Sequence, residues 1–146
     1  LDHGVVGGEP QARHGEPRTA QDLALHRCLA HARYARDEWR FSRADGQQEQ
    51  VRPGVRLRSN EATVLMQAAL AGAGIALLPT YLVGQALASG ALRHVLPALA
   101  PETLGLHAVT TSRRHQPLLL RSFVDFLAAR FDPQRPYWDE ALAGSA

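Results

Sequence analysis

Seven histidines, one cysteine and a scatter of hydroxyls and carboxylates are the residues of this 146-residue chain that could carry chemistry. A metal site needs imidazoles or carboxylates converging at short helical spacing or from neighbouring elements. His3, His14, His26, His31, His94, His107 and His115 include no pair at three or four on one helix face with a carboxylate to complete it. No metal and no cofactor is therefore expected. Ser59, His107 and Asp125 could nominally serve as nucleophile, base and orienter, but no nucleophile-elbow sequence surrounds Ser59, and a chain of this size holds such a trio by chance. Cys28 stands alone, which excludes an internal disulfide framework and a zinc site on paired cysteines, and it reads as a small buried hydrophobe. Gly72-Ala73-Gly74 has the look of a dinucleotide fingerprint with the order reversed: a phosphate loop leaves a strand and opens a helix, whereas this one closes a helix and opens a strand. Catalysis is not expected.

Anion binding is the chemistry that remains. Two helix starts, at Ser59-Asn60 and at Thr80, each offer free backbone amides beside a hydroxyl or amide side chain, and both follow strands. In an open parallel sheet, ligands lie off the carboxyl ends of strands. Capping of the helix is the alternative role at both positions.

These positions depend on the elements around them. Val5-Val6 reads as a strand end and Pro10 to His14 as a helical turn stopped by Gly15. Thr19-Ala20-Gln21-Asp22 has the form of a capping box, predicting one or two helical turns to Leu25. Cys28 to Ala30 reads as a short buried strand. From Glu38 to Arg58 the period is two, with Trp39 and Phe41 on the core side, a turn at Asp45-Gly46, and Val51, Val55 and Leu57 continuing the apolar face. A helix then presents Val64, Leu65, Ala68, Ala69 and Ala71 until Gly72 stops it. Ile75-Ala76-Leu77-Leu78, with no polar alternation, predicts a strand buried on both faces of a parallel sheet. Thr80 caps a second helix carrying Tyr81, Leu82, Val83 and Leu87 to about Gly90. Leu92, Val95 and Leu96 suggest a strand before the Pro97 to Pro101 loop, and Leu104 to Val109 another. After Pro117, apolar residues from Leu119 to Phe131 recur at three and four and predict a long helix with one buried face. Gln134 to Ala146 reads as a tail. Alternating strands and helices make the class α/β.

Composition limits what such a domain binds. All 16 basic residues are arginine against 14 acidic residues, giving a net charge of +2. The arginines form no dense tract, so they read as a solvated surface rather than a nucleic-acid footprint. No apolar run is long enough to span a bilayer, and the residues from Leu1 to Val6 do not read as a secretory signal. A cytoplasmic location and no membrane partner are expected.

The order of motifs carries a resemblance. Arg13-His14-Gly15-Glu16-Pro17-Arg18-Thr19, Asp22-Leu23, His26-Arg27-Cys28-Leu29 and Trp39-Arg40-Phe41 come first. Arg56-Leu57-Arg58-Ser59-Asn60, the run from Ala68 to Pro79 and Gly90-Ala91-Leu92 follow, then Ser112-Arg113-Arg114-His115, the helix from Leu120 to Leu127 and Pro136-Tyr137-Trp138-Asp139. Over nearly the whole chain this order resembles the effector-binding domain of LysR-type transcriptional regulators. The resemblance implies an α/β fold like that of type 2 periplasmic binding proteins, with one complete lobe plus part of the second. Residues 1–29 would be a hinge-proximal segment entering from the first lobe, 30–104 the second lobe, 105–131 the return to the first lobe and 132–146 a tail. The family's winged helix-turn-helix, its linker helix and the first half of the first lobe find no counterpart in the sequence. It further implies a small-molecule effector, self-association as a homo-oligomer, and DNA contact only through an amino-terminal domain not included here; the free amides after Ser59 add the expectation that the effector is anionic, most simply a carboxylate. Ser59 matches the family position at the start of the second-lobe helix that can face the effector, with Asn60 beside it. Ala30 and His31 match the segment leaving the hinge. A solute-binding protein of the same fold is the alternative reading, and an enzyme the third.

Overall fold

The structure, a computed structural model, describes residues 3–8, 15–33, 38–105, 107–110 and 117–131. The apolar run Ile75–Pro79 forms β6, and a five-stranded sheet assembles around it in the order β5-β2-β6-β1-β7, from strands Val55–Ser59, Cys28–His31, Ile75–Pro79, His3–Gly7 and Arg93–His94. β6 runs parallel to β2, pairing Cys28 with Ile75 and Leu29 with Ala76, as an unbroken apolar strand should. Its other neighbour, β1, is antiparallel over five pairs from His3 opposite Pro79 to Gly7 opposite Ile75. The sheet is therefore mixed rather than parallel throughout, and residues 3–7 build the same sheet as the strands that follow, so that sheet begins well before residue 30. A second, three-stranded sheet has the order β4-β3-β8, from Gln48–Val51, Trp39–Ser42 and Ala100–Pro101.

Because successive side chains of a strand point to opposite faces, neighbours in the central strands separate into two cores. Val6, Leu29 and Ala76 join Leu65, Ala69 and Val83 from helices α1 (Ala62–Leu70) and α2 (Thr80–Ala88) on one face. Val5, Cys28 and Ile75 meet Leu23, Trp39 and Phe41 on the other. The period of two in Trp39-Arg40-Phe41 is a core pattern, as expected: both aromatics are fully buried. Asp45-Gly46 makes the β3–β4 turn with Gly46 at φ 82°.

Several local expectations change. The Thr19–Asp22 capping box forms, with the Thr19 N–H donating to Asp22 Oδ2 (2.9 Å) and the Asp22 N–H donating to Thr19 Oγ1 (3.3 Å), but it opens a single 3-10 turn, Gln21–Ala24. β5 leaves the hairpin and becomes the edge of the larger sheet beside β2, so Leu57 is partly exposed instead of continuing the hairpin's apolar face. α1 buries only Leu65 and Ala69, and Val64 faces outward. Its stop is as read: Gly72, at φ 73°, lets its own N–H reach Ala69 O and the Ala73 N–H reach Ala68 O, which uses two otherwise free carbonyls. Gly74 has a different reason, since a Cβ there would collide with the Arg27 carbonyl oxygen as β6 enters the sheet.

Strand β7 covers only Arg93–His94, with Val95 N–H extending the pairing to Val5 O. The described residues from Leu104 to Val109 form no strand, because no described strand lies beside them to complete a ladder, and Val109 is exposed. Helix α3 spans Leu118–Arg130, but no residue of it is buried: Leu119 is 82% and Phe126 62% exposed. The expected buried face therefore lacks a covering layer among the described residues. The turn at Pro10 to His14 and the tail from Gln134 lie outside the described residues. No helix among the described residues is long and apolar enough to cross a membrane.

Candidate functional site

Three strand ends meet at one edge of the larger sheet. His31, the last residue of β2, lies opposite Ser59, the last of β5. His3, where β1 begins, lies opposite Pro79, the last of β6. Helices α1 and α2 start within three residues of those ends, so their amino termini open onto the same edge. Between this edge and the three-stranded sheet lies a cavity of about 340 Å³, within the usual range of small-molecule sites. Its apolar surface comes from Trp39, Leu77, Leu78, Pro79 and Leu104, with the half-exposed ring of Tyr81 at the mouth. The strand ends and helix starts contribute His3, His31, Asn60, Glu61 and Ala62, and the smaller sheet with its following loop contributes Glu38, Arg40 and Glu102.

The head of α1 forms a polar part of this wall. Ser59 Oγ accepts the Glu61 N–H at 3.0 Å. Glu61 is the extended residue just before the helix, at φ −116°. The amides of Ala62, Thr63 and Val64 that follow have no acceptor among the described residues. They are the donors that every helix start leaves free, and they lie at the positive end of the helix dipole. Glu38 is held by Arg52, whose Nη2 is 3.0 Å away. Glu61, Glu102 and Arg40 form no ion pair among the described residues. His31 Nδ1 accepts the Arg33 N–H at 3.2 Å, which fixes that ring nitrogen as an acceptor. Trp39 is 1% exposed, and its indole Nε1 has no acceptor among the described residues.

The residues singled out in the sequence divide. His31 and Asn60 line the cavity, whereas Ser59, Ala30 and Thr80 do not. Ser59 sits one residue behind the wall, with its hydroxyl turned to Glu61. Ala30 is enclosed within β2. Thr80 is the first residue of α2 rather than its cap, which is Pro79, and Thr80 is buried. Sequence reasoning missed Trp39, Arg40, Glu61, Tyr81 and Glu102. Extending one or two residues past each strand-to-helix junction reaches Glu61 and Tyr81. Nothing local marks Arg40 or Glu102, because β3 and the loop after β8 reach the cavity only through sheet pairing between residues about 60 positions apart.

The LysR substrate binding domain model matches residues 4–132. CrgA, an HTH-type transcriptional regulator of Neisseria meningitidis, is 34% identical over 128 residues, covering 84% of this chain and 41% of its own length. LtrA, a probable HTH-type transcriptional regulator of Klebsiella pneumoniae, is 31% identical over 120 residues, covering 80% of this chain and 38% of its own. The chain thus spans about two fifths of the length of these curated relatives. Among solved structures, the CrgA regulatory domain superposes with a TM-score of 0.65 at 27% identity, over 88% of this chain and 63% of that one. Full-length AphB, a Vibrio cholerae virulence activator described as a member of the LTTR family, superposes with a TM-score of 0.68 at 25% identity, over 88% of this chain and 44% of that one. The mixed α/β architecture expected from the sequence, like that of type 2 periplasmic binding proteins, is the fold of these regulatory domains.

Proposed function

The chain belongs to the LysR substrate-binding domain family, and from that premise we propose that it is the effector-sensing part of a transcriptional regulator whose small-molecule ligand lodges in the cavity at the ends of β2, β5 and β6. The cavity carries this reading. It occupies the place that the crevice rule assigns to ligands in α/β sheets, has the size of a metabolite site, and joins an apolar floor to a few convergent polar groups. A carboxylate on the effector suits the free amides of Ala62 and Thr63, where a helix start favours negative charge. Asn60 and His31 flank that group, and Ser59 acts one step back by orienting Glu61. Thr80 and Ala30 support the wall from within the sheet and helix.

Residues 3–104 form one lobe in this reading, and residues 105–131 return toward the other lobe, which closes over the ligand. The protein senses and does not catalyse; its curated relatives are regulators. It works in the cytoplasm, self-associates, and meets DNA through a helix-turn-helix domain supplied elsewhere in the full polypeptide. Filling the cavity tests the proposal. Calorimetric titration with a panel of small organic acids should show at least one saturable ligand that raises the melting temperature, and Ala62→Phe should abolish both effects while the protein stays folded. Equal binding by the filled variant, or no saturable ligand for the wild type, would overturn it.

A further inference from the structure

Resting on the cavity as the effector site, we infer that the effector is an α-amino acid or a close derivative, with an ammonium group beside its carboxylate and an apolar side chain.

Donors and acceptors alternate within a few residues at the head of α1. The unfilled amides of Ala62 and Thr63 suit a carboxylate, while the carboxylate of Glu61, immediately before them, suits a cation. An α-amino acid presents both groups from one carbon, so a single ligand head satisfies both; a simple acid would bring a second negative charge to Glu61. The charges on the wall agree. Among the described residues of the wall, Glu38 is paired with Arg52, and Arg40 faces two further carboxylates, Glu61 and Glu102. Glu61 and Glu102 therefore outnumber Arg40 among the described lining side chains, and an ammonium group has a carboxylate to meet. Trp39 lines the same cavity, and its buried indole N–H has no acceptor among the described residues, a state that native structures rarely leave unfilled. The remaining surface, from Leu77, Leu78, Pro79, Leu104 and the Tyr81 ring, is apolar and takes the side chain.

Matched probes separate the three parts of the ligand. L-phenylalanine, 3-phenylpropanoate and 2-phenylethylamine, and the parallel set L-leucine, 4-methylpentanoate and 3-methylbutylamine, are titrated calorimetrically into the full chain. In at least one set the amino acid should bind about tenfold or more tightly than either fragment, as expected for a charge-assisted hydrogen bond. Glu61→Gln should remove most of the preference over the acid, weakening the amino acid and leaving the acid's own affinity unchanged or higher, because the ammonium contact and the repulsion of a lone carboxylate are lost together. Thermal melts of the variant establish that it is folded. An acid that binds as tightly as its amino acid, or a preference that survives in both Glu61→Gln and Glu102→Gln, overturns the inference. If that acid is displaced by Ala62→Phe, the effector-site reading itself stands. Absence of saturable binding by all six probes also overturns the inference, and the organic-acid panel then decides the effector site on its own.

Discussion

Ser59 and Glu61 are tied at the foot of α1, with Ser59 Oγ accepting the Glu61 N–H at 3.0 Å just before the helix begins. The hydroxyl is therefore spent on holding the junction between β5 and the helix. Ser59→Ala should cost about 1 kcal/mol of stability, the usual net value of one hydrogen bond, and weaken effector binding by less than about threefold because the helix amides remain. Thermal melts and calorimetry on the same preparation check this. An affinity loss of tenfold or more with an unchanged melting temperature would place Ser59 in direct contact with the effector.

Asp22 receives N–H groups from both Arg18 and Thr19 at 2.9 Å. These two bonds hold its carboxyl below the ordinary value of 3.8. A carboxyl that is more acidic in the folded state stabilises the fold above its unfolded value, and this contribution is lost as pH falls through the folded value. Asp22→Asn keeps an acceptor oxygen but cannot titrate. Its denaturation midpoint should fall less steeply than that of the wild type as pH drops below 3.8; parallel acid limbs in urea melts would contradict this.

Cys28 is enclosed in the core between Leu23 and Ile75, and its thiol donates to Leu23 O at 3.4 Å. Burial pushes its pKa up from 9.0 to about 12. The thiolate is the reactive form, so alkylation at pH 8 should be slower than that of an unfolded control by about a hundredfold or more, and should become fast once denaturant is added. The raised value also means that this group's contribution to stability declines as pH rises above 9.0. Rapid labelling of the native protein would show that the thiol opens to solvent.

Helix α3 exposes Leu118, Leu119, Phe123 and Phe126 along one stretch. Apolar surface of this kind seeks a partner. The isolated chain should associate at high concentration, and Phe123→Glu with Phe126→Glu should lower its apparent mass in light scattering without lowering its melting temperature, since neither ring is part of a core. A monodisperse wild-type monomer would count against this surface as the contact.

Some of this structure could be read directly from the residues. Ile75 to Leu78 announces a buried strand because no polar residue interrupts it, Trp39 and Phe41 announce a half-covered sheet by alternation, and Gly72 announces a helix stop. These signals are local. The antiparallel placement of β1 against β6 is not local, since Val5 and Val6 have the same appearance in either direction. The lining of the candidate cavity was legible at Asn60 and His31, where a strand end meets a helix start, and illegible at Arg40 and Glu102, whose position follows from the pairing of β3 with β8. The α3 periodicity correctly marked a helix, but periodicity cannot say whether the layer that covers its apolar face lies within the same stretch of chain.

The position of β1 between β6 and β7 has a consequence during synthesis. Gly7 must wait for Ile75 and His3 for Pro79 before either can pair, an interval of roughly 70 residues, or on the order of 3 to 15 s at ordinary elongation rates. Throughout that time Val5 and Val6 are apolar residues without a partner strand. Nascent chains stalled before β6 emerges should therefore be the form of this protein most readily captured by chaperones, and release of that capture should coincide with emergence of Pro79 from the ribosome.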